Sequence, residues 1–322
     1  VQPEVRRKRV IFVFVALSVL AIAAAVLFMT LGARGSWSFI LPFRGVKLAG
    51  LVLVGTAIAI STVMFQTVTN NRILTPSIMG FDAFYALIQT SLVFFLGAMQ
   101  VSAFDTRIMF IAETGMMLAF GGLLYRWLFA STVRSLHLLL LVGIVFGVFF
   151  RSLSSFMQRV IDPTEFTILQ DRLFASFNSI DSTLLLVAAA IVLACCVAAW
   201  CLASRLDVLA LGREHAIGLG LDHQRIVSFV LFIVILLVSV STALVGPVAF
   251  FGLLVANLAY LLMPTARHAV LMPAAALLAT IFLVGGQTIL ERVFAFDTAL
   301  SVVIEFIGGI FFLLLVIRGA AR

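Results

Sequence analysis

Only 11% of the 322 residues are charged, and the basic ones include just two lysines, Lys8 and Lys47. A soluble domain carries roughly 25% charged residues, so there is too little polar surface to coat a water-soluble particle of 34.9 kDa. That scarcity excludes a soluble enzyme, a disordered chain and a disulfide-built secreted scaffold. Neither lysine follows Gly-x-x-x-x-Gly, so the chain has no Walker A phosphate loop and does not hydrolyse ATP by itself. Its three cysteines, Cys195, Cys196 and Cys201, lie in one apolar run without distant partners and read as small core hydrophobes. The four histidines form no i, i+4 pair and have no cysteine companion, so neither a metal site nor a cofactor is expected. Gly218-Leu219-Gly220 looks like the start of a dinucleotide fingerprint, but no strand precedes it. No Ser-His-Asp or paired-carboxylate pattern stands out, and nothing argues for an enzyme. The basic residues are dispersed between apolar runs, which speaks against nucleic acid. Tyr and Trp, three each against 31 Phe, place most aromatic area against lipid or interior, not in the headgroup belt.

What the chain has is hydrophobic length: 63% apolar residues and a mean hydropathy of +1.24. A membrane helix needs roughly 20 apolar residues. Ten candidate runs are found: Val10–Leu31, Leu48–Thr69, Ala83–Gly97, Ile108–Ala130, Leu136–Phe150, Leu184–Ala203, Ile226–Val245, Pro247–Met263, Ala269–Leu290 and Ala299–Ile317. The third, fifth and eighth are short. The seventh and eighth are parted only by Gly246-Pro247, and fusing them gives the alternative count of nine. The first, behind Arg6-Arg7-Lys8-Arg9, is too long for a signal peptide and lacks a cleavage pattern, so it reads as a retained span.

With the N-terminus inside, thirteen of the 21 basic residues fall on inside segments, the bias expected of cytoplasmic termini. The chain thus reads as an all-α polytopic membrane protein, a single transmembrane domain over 1–322 with about ten helices and both termini cytoplasmic. The outside stretch from Arg151 to Asp181 mixes both charge signs and reads as short amphipathic helices on the outer face. Only Glu113 and Glu305 sit well inside apolar spans, too few for a proton- or sodium-coupled carrier, so energy coupling from outside the chain is attractive. Both glutamates could be interhelical hydrogen-bond partners or part of a translocation path.

Two stretches carry a function on physical grounds. Leu211 to Leu221 lies in the one inside segment with mixed charge around small and apolar residues. Gly212, Gly218 and Gly220 let short helices turn sharply, and Ala216 would let a helix sit close against a partner. Gln66, Asn70 and Asn71, at the inner end of the second span, need polar partners that lipid lacks, so they are expected to face the translocation route.

Four stretches resemble the permease subunits of ABC importers for iron-siderophores, haem and cobalamin. The first runs from Arg44 through Lys47 and Gly55 to Gln66, then Asn71-Arg72-Ile73-Leu74-Thr75-Pro76 and Gly80. The second is Leu211-Gly212-Arg213-Glu214-His215-Ala216-Ile217-Gly218-Leu219-Gly220. The third is Val245-Gly246-Pro247-Val248-Ala249-Phe250-Phe251-Gly252-Leu253-Leu254, and the last Gly308-Gly309-Ile310-Phe311-Phe312-Leu313-Leu314. They cover nearly the whole chain, in order and at family spacing. The chain departs from the family at Asn71-Arg72, where Asn-Pro is usual, at Ala256-Asn257-Leu258-Ala259-Tyr260, where Pro-His is frequent, and at Glu305, where small or hydroxyl residues are common. Asn-Asn-Arg-Ile-Leu-Thr-Pro with Gly80-Phe81-Asp82 is most similar to the branch importing ferric catecholate or mixed-ligand siderophores such as petrobactin, anguibactin or vibriobactin.

The resemblance implies a ten-helix permease working with two ATP-binding subunits, a second permease (identical or a paralogue) and an extracytoplasmic substrate-binding protein, in the cell (inner) membrane. It implies that Leu211, Gly212, Ala216, Leu219 and Gly220 belong to the loop that receives motion from the ATPase, and that Arg44, Lys47 and Arg292 dock the binding protein. Iron would arrive inside its chelator, as cargo. The alternatives are an importer of haem or cobalamin, and an uncoupled carrier or scaffold.

Overall fold

The computed structural model describes residues 3–32, 36–130, 136–178, 180–292 and 300–320. Ala299, where the tenth run begins, and Arg34, Arg134 and Arg322, counted in the charge bias, lie outside the described residues. The described chain forms fourteen α-helices: α1 (Pro3–Thr30), α2 (Trp37–Thr69), α3 (Phe81–Leu96), α4 (Ala98–Ala103), α5 (Thr106–Ala130), α6 (Leu136–Gln158), α7 (Pro163–Leu173), α8 (Ser182–Cys201), α9 (Ala203–Leu209), α10 (Arg213–Gly218), α11 (His223–Val245), α12 (Phe251–Leu262), α13 (His268–Arg292) and α14 (Leu300–Ala320). Seven are long and apolar enough to cross a membrane: α1, α2, α5, α6, α8, α11 and α13. Three shorter apolar helices, α3, α12 and the first part of α14, match the third, eighth and tenth runs. This is a multi-pass membrane protein, and its outer belt is apolar: Phe12, Phe95, Leu186 and Phe306 are at least 70% exposed.

The seventh and eighth runs form two separate helices, α11 and α12. α11 ends at Val245, and Gly246 follows at φ +97°. A Cβ at Gly246 would stand 3.1 Å from the Ala175 Cα, so both the backbone angle and the close approach require glycine. Two boundaries differ from the hydropathy reading. α2 begins at Trp37, so Arg44 and Lys47 lie in a helix of 33 residues, about 50 Å long; Pro42 is tolerated in its second turn. α6 runs past Arg151 to Gln158, and α7 is the one described helix of eight residues or more between it and α8. Cys195 is buried and Cys196 half-buried, but Cys201, at the end of α8, is exposed.

α2 is the central post, lined by α13, α11, α12 and α8. α3 packs on α6, where Phe84, Phe120, Phe146 and Phe150 form a cluster with ring centroids 4.7–6.0 Å apart. That cluster accounts for part of the phenylalanine excess.

α12 crosses α2 at Gly252, where a Cβ would stand 2.1 Å from Thr62 Oγ1 and 3.1 Å from Thr62 Cβ. Gly252→Ala is therefore expected to destabilise the protein by about 1–3 kcal/mol through overpacking, read as a lower unfolding midpoint in detergent. In a Thr62→Ala background the loss shrinks, because the oxygen that clashes is gone.

Candidate functional site

The polar residues singled out in the sequence collect at the two ends of the antiparallel α2–α13 pair. At one end, Thr67 Oγ1 lies 2.7 Å from Nε2 of His268, the first residue of α13. Asp207 of α9 accepts from the His268 backbone amide at 2.7 Å, and its same oxygen lies 2.6 Å from Nδ1. This Asp207 carboxylate caps the N-terminus of α13, where it meets the positive end of the helix dipole. Thr67, His268 and Asp207 tie α2, α13 and α9 together.

Beyond α9, Gly212 (φ +96°) turns the chain into α10, and Gly220 (φ +81°) turns it out again. Leu211, Ile217 and Leu219 are 57%, 52% and 65% exposed. Three exposed aliphatic side chains thus gather on one short loop. Ala216 does not join them. It is fully buried, so it seats α10 on its own subunit instead of admitting a partner helix; a six-residue helix is too short for apolar periodicity to reveal which way it faces.

At the same end, α2 closes with Asn70 in the left-handed region (φ 49°), and the Asn71 amide donates to the Gln66 carbonyl at 3.1 Å. Asn70 and Asn71 are exposed, whereas Gln66 is buried. Gln66 Nε2 donates to the Arg72 carbonyl at 2.7 Å, and Asn257 Nδ2 donates to the same oxygen at 3.0 Å. The Arg72 guanidinium stands over the Tyr260 ring, 4.4 Å from its centroid. Two of the three departures from the family pattern, Arg72 and the Asn257–Tyr260 stretch, are thus in contact with each other.

At the other end, the Arg44 guanidinium donates to the carbonyls of Phe28 (2.9 Å), Met29 (3.0 Å), Leu31 (3.0 Å) and Gly32 (3.3 Å). It collects carbonyls that α1 leaves unpaired at its C-terminus and complements the dipole there. The Arg292 guanidinium lies against Gly32, where a Cβ would stand 2.6 Å from its Nη1. Lys47 forms a salt bridge with Glu291, and Gln287 Nε2 donates to the same carboxylate oxygen at 2.9 Å. The three cations expected to dock a partner are brought together. Arg292 is the exposed one, whereas Arg44 is half-buried and Lys47 is buried.

Beside them, Asp162 and Asp181 cap α7 and α8. The Asp162 carboxyl is held below the ordinary range by hydrogen bonds to the Thr164 side chain and amide. Asp181 is held low by hydrogen bonds to the Leu184 and Thr183 amides.

Deeper in the bundle, Glu113 of α5 accepts from Gln89 Nε2 of α3 at 2.6 Å, an interhelical bond, while Glu305 is half-buried on α14. The sequence offers no functional role for Glu291, Gln287 or His268, and marks Asp207 only as one of the inside charges and Asn257 only as part of a departure from the family pattern. Glu291, the lone acid at the end of the ninth run beside Arg292, was the one legible clue.

Comparison with known proteins covers nearly the whole chain. The FecCD transport family model matches residues 9–318. The petrobactin import system permease protein YclO of Bacillus subtilis (strain 168) is 49% identical over 284 residues, 88% of this chain and 90% of that protein. The petrobactin import system permease protein FatC of Bacillus anthracis is 37% identical over 278 residues, 86% of this chain and 78% of that one. A solved inward-facing structure of a metal-chelate type ABC transporter superposes with a TM-score of 0.82, covering 96% of this chain and 99% of that one at 23% identity; it shares the fold.

Proposed function

Because the chain belongs to the FecCD transport family, we propose that it is the membrane-spanning permease of an ATP-driven importer that carries a ferric siderophore of the petrobactin class across the cytoplasmic membrane. The observation that carries this reading is the 49% identity to a petrobactin permease along nearly the full length of both chains. The ferric chelate is cargo, and its iron stays in the chelator. Two ATP-binding subunits dock at the α10 end, and a second permease completes the path. A substrate-binding protein docks at the Lys47 end, which faces out; the termini and α10 face the cytoplasm.

Each end supports its part by its chemistry. Leu211 and Leu219, with Ile217, offer apolar contact to an ATPase groove. Gly212 and Gly220 set the turns, and buried Ala216 makes α10 move with α9. Through Asp207 and His268 that motion reaches α2 and α13 directly. Gln66 holds the turn that presents Asn70 and Asn71 to the route, where uncharged amides pass a polar chelate without trapping it. At the outer end Arg292 meets acidic side chains of the binding protein, while Arg44 and Lys47 keep the platform of α1, α2 and α13 in shape.

Arg292→Glu is expected to weaken binding-protein affinity about tenfold at low salt, with most of the difference lost at high salt, because exposed charges steer encounter and are screened. Titration at two salt concentrations checks it. Arg44→Glu is a poorer probe, since it also uncaps α1.

The function itself is tested by purification under mild conditions followed by binding assays. A stable complex with a Walker-motif ATPase, stimulated by a binding protein loaded with ferric petrobactin, is expected. Stimulation only by haem or cobalamin, or transport without any ATPase, contradicts it.

A further inference from the structure

At the Lys47 end, a cavity of about 420 Å³ opens between α3, α5, α7 and the ends of α8 and α11. Its charged lining is mostly acidic: Glu113, Asp171 and Asp181 against Arg172. Glu113 lies seven residues into α5, about 10 Å below its start. It is only 5% exposed, and Gln89 beside it only 2%. Gln89 Nε2 donates to the Glu113 carboxylate at 2.6 Å, while Gln89 Oε1 is buried with no hydrogen-bond partner. Tyr85 lines the same cavity. The buried Gln89 Oε1 without a partner and the buried Glu113 carboxylate concentrate acceptor oxygens beside the Tyr85 hydroxyl, and native interiors rarely leave a buried amide oxygen unpartnered. Arg172, the one cationic side chain in the lining, donates to Ser102 Oγ at 3.2 Å and sits at the exposed mouth on α7. Asp181 is engaged in capping α8.

We propose that Glu113, Gln89 and Tyr85 form a binding site for an alkali-metal cation, Na+ or K+, reached from the outer face through this cavity. One carboxylate, one amide oxygen and one phenol oxygen, completed by cavity water, suit a hard monovalent ion. They do not suit Ca2+ or Zn2+, which call for several carboxylates, or for imidazole and thiolate. Among the described residues no three His, Cys, Asp or Glu side chains converge. The bound ion neutralises a carboxylate that is otherwise isolated in the bundle, and it fastens α3 to α5.

The test uses the full chain in detergent, with NaCl, KCl and choline chloride compared at equal ionic strength and pH. A saturable rise in the unfolding midpoint of about 5 °C is expected in one or both alkali salts over choline. Glu113→Gln, which preserves shape, should abolish the rise, and Gln89→Leu should weaken the apparent affinity at least fivefold. Direct binding of 22Na+ or 86Rb+ to the unaltered protein gives a readout that does not depend on any variant. Equal midpoints in choline and alkali salts overturn the proposal, as does a rise that survives Glu113→Gln. So does stabilisation by acid alone whatever the cation, which would instead identify a protonated glutamate donating to Gln89 Oε1.

Discussion

Leu219→Asp is expected to cut ferric siderophore uptake at least tenfold while leaving membrane insertion and thermal stability unchanged. Leu219 is 65% exposed, so a carboxylate there meets only water in the isolated subunit. In an apolar groove of a partner it is a desolvated, unpaired charge, and such a charge costs several kcal/mol. Basal ATP hydrolysis should survive, but stimulation by the loaded binding protein should not. Gly220→Val reaches the same loss of stimulated uptake by another route, at some cost in stability. Its φ of +81° strains any side chain by about 1–3 kcal/mol, so the turn leaving α10 re-forms elsewhere. Gly218 is the control: it stands in open space without a positive φ, and Gly218→Ala should transport normally. Uptake assays alongside ATPase rates separate these cases; normal stimulated ATPase and uptake in Leu219→Asp and Gly220→Val would remove α10 from the coupling path.

Lys47→Met is expected to be the most destabilising single exchange at the Lys47 end of the α2–α13 pair. The Lys47–Glu291 pair is nearly enclosed, with side-chain exposures of 10% and 12%. Removing the ammonium leaves Glu291 buried with Gln287 as its remaining described hydrogen-bond donor. Breaking a buried pair from one side costs about 3–5 kcal/mol. Replacing both partners, as Lys47→Met with Glu291→Met, should recover most of that loss, because no uncompensated charge remains. Unfolding midpoints of the two single variants and the double variant in one detergent form the cycle that checks it. Additive losses would mean that the two residues act independently.

Much of the architecture was legible in the sequence because lipid imposes it. Apolar run length marked the apolar helices and Gly246-Pro247 marked the break, whereas the caps Asp162 and Asp181, where α7 and α8 begin, emerged only with the structure. The ends of α2 and α6 were misplaced for one reason: a run was cut at its first arginine or lysine. A cation near a membrane interface remains helical if it finds a partner, as Arg44 does on the α1 carbonyls and Lys47 on Glu291.

The sites were half legible. Which residues gather at which end followed from topology, but what each side chain touches did not. Those contacts join residues 61, 201 and 244 positions apart: His268 with Asp207, Thr67 with His268, Lys47 with Glu291. No spacing pattern encodes them. Arg72 and Tyr260 illustrate the point, since they read separately as two departures from a family pattern and together form one cation–π contact.

Uptake by proteoliposomes tests the central claim most directly. The vesicles hold this chain with its co-purifying ATPase, ATP inside, and receive binding protein loaded with 55Fe-labelled ferric petrobactin from outside. Accumulation of 55Fe that requires ATP and the binding protein, and that falls at least tenfold with Leu219→Asp in the permease, is the predicted result. Accumulation that proceeds without ATP, or an ATP-driven system that passes haem or cobalamin and leaves the ferric siderophore outside, would contradict it.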